Sequence, residues 1–128
     1  MNKYRELLQQ ALQVAAAGDE ELAVRKLDEG AHSAMQDKEG KWSALLFRNA
    51  GLLYEKKGDL ELARDSYQMA LACSKVDPYL LYALADVCRR LGDNASARHY
   101  FSSCFELAST ANDHDLVKKL SEQGFGPR

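Results

Sequence analysis

Three Gly-Asp pairs punctuate the 128-residue chain: Gly18-Asp19, Gly58-Asp59 and Gly92-Asp93, separated by 40 and 34 residues. Each opens a similar phrase, Glu20-Glu21-Leu22-Ala23-Val24-Arg25, Leu60-Glu61-Leu62-Ala63-Arg64 and Asn94-Ala95-Ser96-Ala97-Arg98. A period of this length constrains the architecture strongly, because a segment so short cannot bury its apolar face alone and must pack on its neighbours. Before each pair, apolar and small residues recur at three- and four-residue intervals: Leu7, Leu8, Ala11, Leu12 and Val14; Phe47, Ala50, Gly51 and Tyr54; Leu81, Leu84, Ala85 and Cys88. After it come Ala23, Leu27 and Gly30; Ala63, Tyr67 and Ala70; Ala97, Phe101 and Cys104. Both sets lie on one face of a helix. Glycine can take the left-handed conformation that ends one helix, and the following Asp can accept N–H groups at the start of the next. Each pair therefore predicts the corner of an antiparallel helical hairpin, in an all-α chain without convincing strands.

Small residues hold fixed offsets around the corners. Ala11, Gly51 and Ala85 lie seven residues before their Gly, and Ala23, Ala63 and Ala97 five after it. Helices approach closely only where side chains are small, so these positions are expected to face each other across each hairpin. Gly30, Ala70 and Cys104 suggest a second small-residue requirement, between successive hairpins. The periodicity divides the chain into copies at about 4–37, 44–77 and 78–111, with 38–43 inserted. The insertion is expected to lengthen the second helix of the first copy or the first helix of the second. Asp77-Pro78 supplies an N-cap and a first-turn proline for the third copy. In the tail, Leu116, Val117 and Leu120 oppose Lys118, Lys119 and Glu122, the pattern of a capping helix at about 112–123 that covers the last apolar face. Gly124, Gly126 and Pro127 should end the ordered chain. The whole of 1–128 is expected to form a single domain of about seven helices.

These residues resemble the tetratricopeptide repeat, whose pattern is Trp-x2-Leu-Gly-x2-Tyr, then Ala-x3-Phe, then Pro. The second copy matches best, with Phe47, Ala50, Gly51, Tyr54, Ala63 and Tyr67 in register. The third offers Leu81, Leu84, Ala85, Cys88, Ala97 and Phe101, and the first Leu7, Gln10, Ala11, Val14, Ala23 and Leu27. No copy has the initial Trp, and Pro78 falls three residues late. The resemblance implies a right-handed superhelix of antiparallel hairpins, an α-α solenoid.

Composition narrows the function. The net charge is -2, with 17 basic and 19 acidic residues. Residues 1–37 carry 4 basic and 7 acidic groups, 38–77 carry 7 and 6, and 78–128 carry 6 and 6, so no segment offers a stripe for phosphates. Nucleic acid and membrane surfaces are disfavoured as partners. A transmembrane helix needs roughly 20 apolar residues, and the Tyr79–Ala85 run stops at Asp86. Glu6, Gln9, Gln10 and Gln13 interrupt any signal-peptide core. Cys73, Cys88 and Cys104 are odd in number and lack metal or redox spacing, which favours a reducing, cytoplasmic setting.

No catalytic constellation converges. His99 and Ser103 share a helix face without a third orienting group, and His32, His99, His114 and the cysteines lack ligand spacing. Catalytic, cofactor and metal residues are therefore expected to be none, and the chain to be no enzyme. In the family that the repeats resemble, first helices line a concave groove that holds a peptide or helix of another protein. The resemblance places Arg5, Leu8, Gln9 and Leu12 there from the first copy, Leu45, Arg48, Asn49, Leu52 and Glu55 from the second, and Tyr79, Tyr82, Asp86 and Arg89 from the third. The two-carboxylate clamp that some relatives use for acidic chaperone tails fits only at Asn49, its other sites being Leu8, Leu12, Tyr79 and Ala83. The leading expectation is a protein-interaction scaffold. The alternative is a client-specific chaperone resembling the three-repeat secretion chaperones of bacteria, with a second copy of itself as a further partner.

Overall fold

The computed structural model describes residues 2–74 and 77–124. Its elements, in order, are α1 (Lys3–Ala16), α2 (Glu20–Gln36), α3 (Gly40–Lys57), α4 (Leu60–Cys73), α5 (Pro78–Arg90), α6 (Asn94–Thr110) and α7 (His114–Glu122). Among the described residues all regular structure is helical, and the architecture is that of an all-α helical repeat solenoid. The chain divides into two compact units, Met1–Lys75 and Val76–Arg128. In the first, α1 packs on α2, α2 on α3 and α3 on α4; in the second, α5 packs on α6 and α6 on α7.

The corners explain this order. At Gly18, Gly58 and Gly92 the backbone is left-handed, with φ of 101°, 86° and 86°. The N–H of each Gly and of the Asp after it returns to the helix just ended: Gly18 to the Ala15 carbonyl and Asp19 to that of Val14, both near 3 Å. This is the Schellman closure, which satisfies carbonyls that the last turn leaves over. The same pair of bonds recurs at Lys38-Glu39 and Asn112-Asp113, where Lys38 and Asn112 adopt φ of 59° and 58°. Five connections thus share one geometry, although only three carry glycine. Between α4 and α5 the chain instead leaves Cys73 through Ser74 in extended conformation.

The acids after the corners start the next helices. Asp19, Asp93 and Asp113 each accept the N–H three residues on at 3.1 Å. Asp77 accepts from Tyr79 N–H at 2.9 Å, with Pro78 in the first turn as expected. Because α2 ends at Gln36 and α3 begins at Gly40, the 38–43 stretch forms a corner and then the first turn of α3. Gly126 and Pro127 lie outside the described residues, while Gly124 follows α7 in a left-handed conformation.

The buried side chains follow the repeat. Phe47, Tyr67 and Phe101 are at most 2% exposed, and each is worth about 1.5–3 kcal/mol of burial. Ala11, Ala23, Ala63, Ala85 and Ala97 are buried, as is Gly51. The close approaches at two glycines identify the side chains that use the space. Gly51 is opposed by an aromatic ring: a Cβ there would lie 2.6 Å from Cε1 of Tyr67. The missing side chain leaves a slot that the ring fills. Gly30 makes room within its own hairpin, since a Cβ there would lie 2.7 Å from Leu7 Cδ2 on α1. Cys104 likewise looks back into its own hairpin, its Sγ donating to the Pro78 carbonyl at 3.0 Å.

Candidate functional site

Helical spacing puts the candidate residues of each first helix on one stripe, and the units differ in what that stripe carries. On α1, Arg5 and Gln9 are exposed and Leu8 is half-buried. Leu12 is 44% exposed. On α3, Leu45, Arg48, Asn49 and Glu55 are half-buried, and Leu52 is 47% exposed. Leu12 and Leu52 each stand six residues before a corner glycine, so the same repeat position exposes a leucine twice within one unit.

Some polar members of the stripe are committed to the fold. Asn49 Nδ2 donates to the Leu45 carbonyl at 2.8 Å, a bond within α3. Glu55 accepts the hydroxyl of buried Tyr67 at 2.6 Å, tying α3 to α4.

In the second unit the equivalent of Leu12 and Leu52 is Asp86, which holds Arg89 at 2.6 Å and Arg90 at 3.7 Å. The stripe turns from apolar to charged there. Tyr79, 51% exposed, donates its hydroxyl to Asp113 at the start of α7. That bond lifts the phenol above its ordinary range and, with the Leu116 N–H, holds the Asp113 carboxyl below its own. Tyr82 accepts a bond from Gln123 Nε2 at 2.7 Å, meets the Phe101 ring edge-on at 5.4 Å, and lies under Lys119 Nζ at 4.5 Å from its centroid. Both tyrosines present ring surface while their phenol ends hold α7.

The first unit repeats this device. Tyr4, buried on α1, donates to Asp37 just after α2, and Lys3 Nζ lies 3.1 Å from the same carboxylate. The tyrosine bond, then Lys3, holds Asp37 below the usual carboxylate range.

The groups sought for catalysis are dispersed. His32 packs edge-on against Phe47 at 5.2 Å, and His99 lies against Tyr100 at 5.5 Å. Cys88 and Cys104 are buried, and burial, followed by Asp77 and Asp113, pushes the Cys104 thiol up to about 11. Among the described residues no group of three His, Cys, Asp or Glu could hold a metal ion. No described helix is long and apolar enough to cross a membrane.

Sequence reasoning passed over a cleft of about 530 Å³ in the second unit, lined by Arg89, Asn94, Ala97, Arg98, Phe101 and Gln123. Most of its wall comes from α6, the second helix of its hairpin. The available signal was Arg98 itself, which closes the repeated phrase after the corner as Arg64 does.

Helical hairpins joined by one recurring corner, with aromatic and small residues interlocked inside each hairpin, define an α-helical repeat protein. Residues 49–72 and 78–110 match the tetratricopeptide repeat model, so the chain carries tetratricopeptide repeats over those stretches. The match falls in the second and third copies; the first shares their corner and hairpin. No curated protein matches the chain. Repeats of this family generally mediate protein–protein interaction and are typically non-enzymatic.

Proposed function

We propose that the chain is a non-enzymatic scaffold whose first-helix faces bind a peptide or helix of a partner protein. The observation that carries this reading is the repeated exposure of leucine at one position of the first unit, Leu12 at 44% and Leu52 at 47%. Leu8 and Leu45 extend the apolar stripe, and Arg5, Gln9 and Arg48 supply polar groups beside it. Exposed apolar surface rimmed by polar side chains marks an interaction face, because a partner that covers it gains the burial that the fold left unused. In the second unit Tyr79, Tyr82, Asp86 and Arg89 add aromatic and charged contacts, of the kind enriched where partners dock.

The test is affinity capture from the source cell's lysate with the wild-type chain and with Leu12→Ser/Leu52→Ser, partners being identified by mass spectrometry. Both substituted residues are exposed, so helix content measured by circular dichroism should not change. A partner held by the wild-type chain and lost by the variant is the expected result. Equal retention would remove the first-helix face from the interface.

A further inference from the structure

The cleft in the second unit is a candidate for a separate site. Its six lining residues include two arginines, Arg89 and Arg98, two side-chain amides, Asn94 and Gln123, and no acid. Ala97 and Phe101 give it an apolar floor. Asn94 begins α6, whose N-terminus is capped by the Asp93 carboxylate through the Ser96 N–H at 3.1 Å. Anions gain from the cationic and amide groups, while the floor suits a neighbouring aliphatic side chain.

The two arginines differ. Arg89 is held by Asp86 at 2.6 Å. Arg98 has no ion pair among the described residues. The comparison with the second copy is informative, because Arg64 occupies the position of Arg98 in the repeat and is neutralised by Asp65, its next neighbour, at 3.3 Å. In the third copy the residue after Arg98 is His99, so the cation faces the cleft without a counter-charge. The same repeat position is a closed surface pair in one copy and an open cation in another.

We infer that this cleft binds an acidic segment of a protein partner, a Glu or Asp carboxylate seated on Arg98 with an adjoining leucine-like side chain over Ala97 and Phe101. All six lining residues belong to the second unit, and neither Leu12 nor Leu52 is among them. An acidic polypeptide fits better than a bare phosphate because the cleft combines cationic rim and apolar floor.

The test is fluorescence anisotropy with a labelled peptide built only of Glu and Leu, against a counterpart built of Ser and Leu. The Glu peptide is expected to bind the wild-type chain and the Ser peptide to bind at least about tenfold more weakly. Arg98→Ala should lose about tenfold in affinity for the Glu peptide, whereas Arg64→Ala and Leu12→Ser/Leu52→Ser should leave it unchanged. Circular dichroism melts should be the same for Arg98→Ala and wild type, since that side chain is exposed. Equal binding of the two peptides, or no loss in Arg98→Ala, would overturn the inference. So would displacement of the peptide by inorganic phosphate beyond that by sodium chloride of equal ionic strength, which would make the cleft a phosphate site. Loss of binding in the leucine variant alone would move the peptide to the first-helix face and overturn it as well.

Discussion

The hydroxyl of Tyr79 donates to the carboxylate of Asp113, 34 residues further along the chain. Tyr4 and Asp37, 33 residues apart, make the same bond. In each case a tyrosine in the opening turn of a hairpin reaches an acid beyond its second helix: Asp37, the C-cap of α2, in one, and Asp113, the N-cap of α7, in the other. The pair also couples stability to pH. Asp113 titrates below its ordinary 3.8 in the fold, so its contribution is present above that value and is lost as pH falls through the depressed folded pKa. Tyr79 titrates above its ordinary 10.0, so its contribution is present below 10.0 and is lost as pH rises through the raised folded pKa. Tyr79→Phe should therefore lower the melting temperature at neutral pH. It should also raise the Asp113 pKa, measured by carboxyl carbon NMR, toward 3.8 without reaching it, because the Leu116 N–H still bonds that carboxylate at 3.1 Å. An unmoved Asp113 titration would show that the phenol does not hold it.

Two helix-interior glycines should respond differently to alanine. At Gly51 the new methyl meets the ring of Tyr67, which is fully buried and bonded to Glu55. Overpacking of this kind costs about 1–3 kcal/mol, partly offset by a propensity gain near 1 kcal/mol. At Gly30 the methyl meets the two ends of Leu7, and Leu7 borders a cleft of about 320 Å³ into which it can turn. Urea unfolding should show Gly51→Ala destabilised by up to about 2 kcal/mol, and by more than Gly30→Ala, which should lie within about 0.5 kcal/mol of wild type. The reverse order would refute the packing described for Tyr67.

Lys38 and Asn112 carry side chains in left-handed backbone, at φ of 59° and 58°. An L-residue there loses roughly 1–2 kcal/mol, less for Asn, while glycine brings an entropic cost of about 0.5–1 kcal/mol. Lys38→Gly should raise stability by about 0.5–1 kcal/mol and Asn112→Gly by less, whereas Gly58→Ala, at φ of 86°, should lower it by about 1 kcal/mol. Thermal unfolding of the three variants checks the order.

The cysteines should be told apart by alkylation. With its thiol pushed up to about 11 and bonded to the Pro78 carbonyl, Cys104 is about one-thousandth thiolate at pH 8. Brief iodoacetamide treatment at that pH, followed by peptide mass spectrometry, should label half-buried Cys73 first and reach Cys88 and Cys104 only after unfolding. Labelling of Cys104 as fast as Cys73 would contradict its burial.

Much of the fold was legible because glycine advertises backbone conformation. Gly18, Gly58 and Gly92 marked three corners, and the helices around them followed from apolar spacing. The corners at Lys38 and Asn112 were missed because their residues do not announce a left-handed φ. Only the acid behind each one, Glu39 and Asp113, and their place 20 residues after Gly18 and Gly92 hinted at them. Facing partners were less legible still: that Gly51 receives Tyr67, or that Gly30 receives Leu7, depends on helix rotation, which spacing alone leaves undetermined. At the candidate sites, periodicity placed Leu12 and Leu52 on equivalent faces. It could not reveal that Tyr79 and Tyr82 are tied to α7, or that Arg64 is neutralised and Arg98 is not, because those depend on contacts between helices or on side-chain conformation.

Within each unit every helix packs on the one next to it in the chain, and five of the connections close with the same two backbone bonds. Such a molecule orders no long loop before its contacts form, so the entropic barrier to folding is low and the rate should be fast for a chain of this size. During synthesis each hairpin can close once its second helix is available, before the rest of the chain exists.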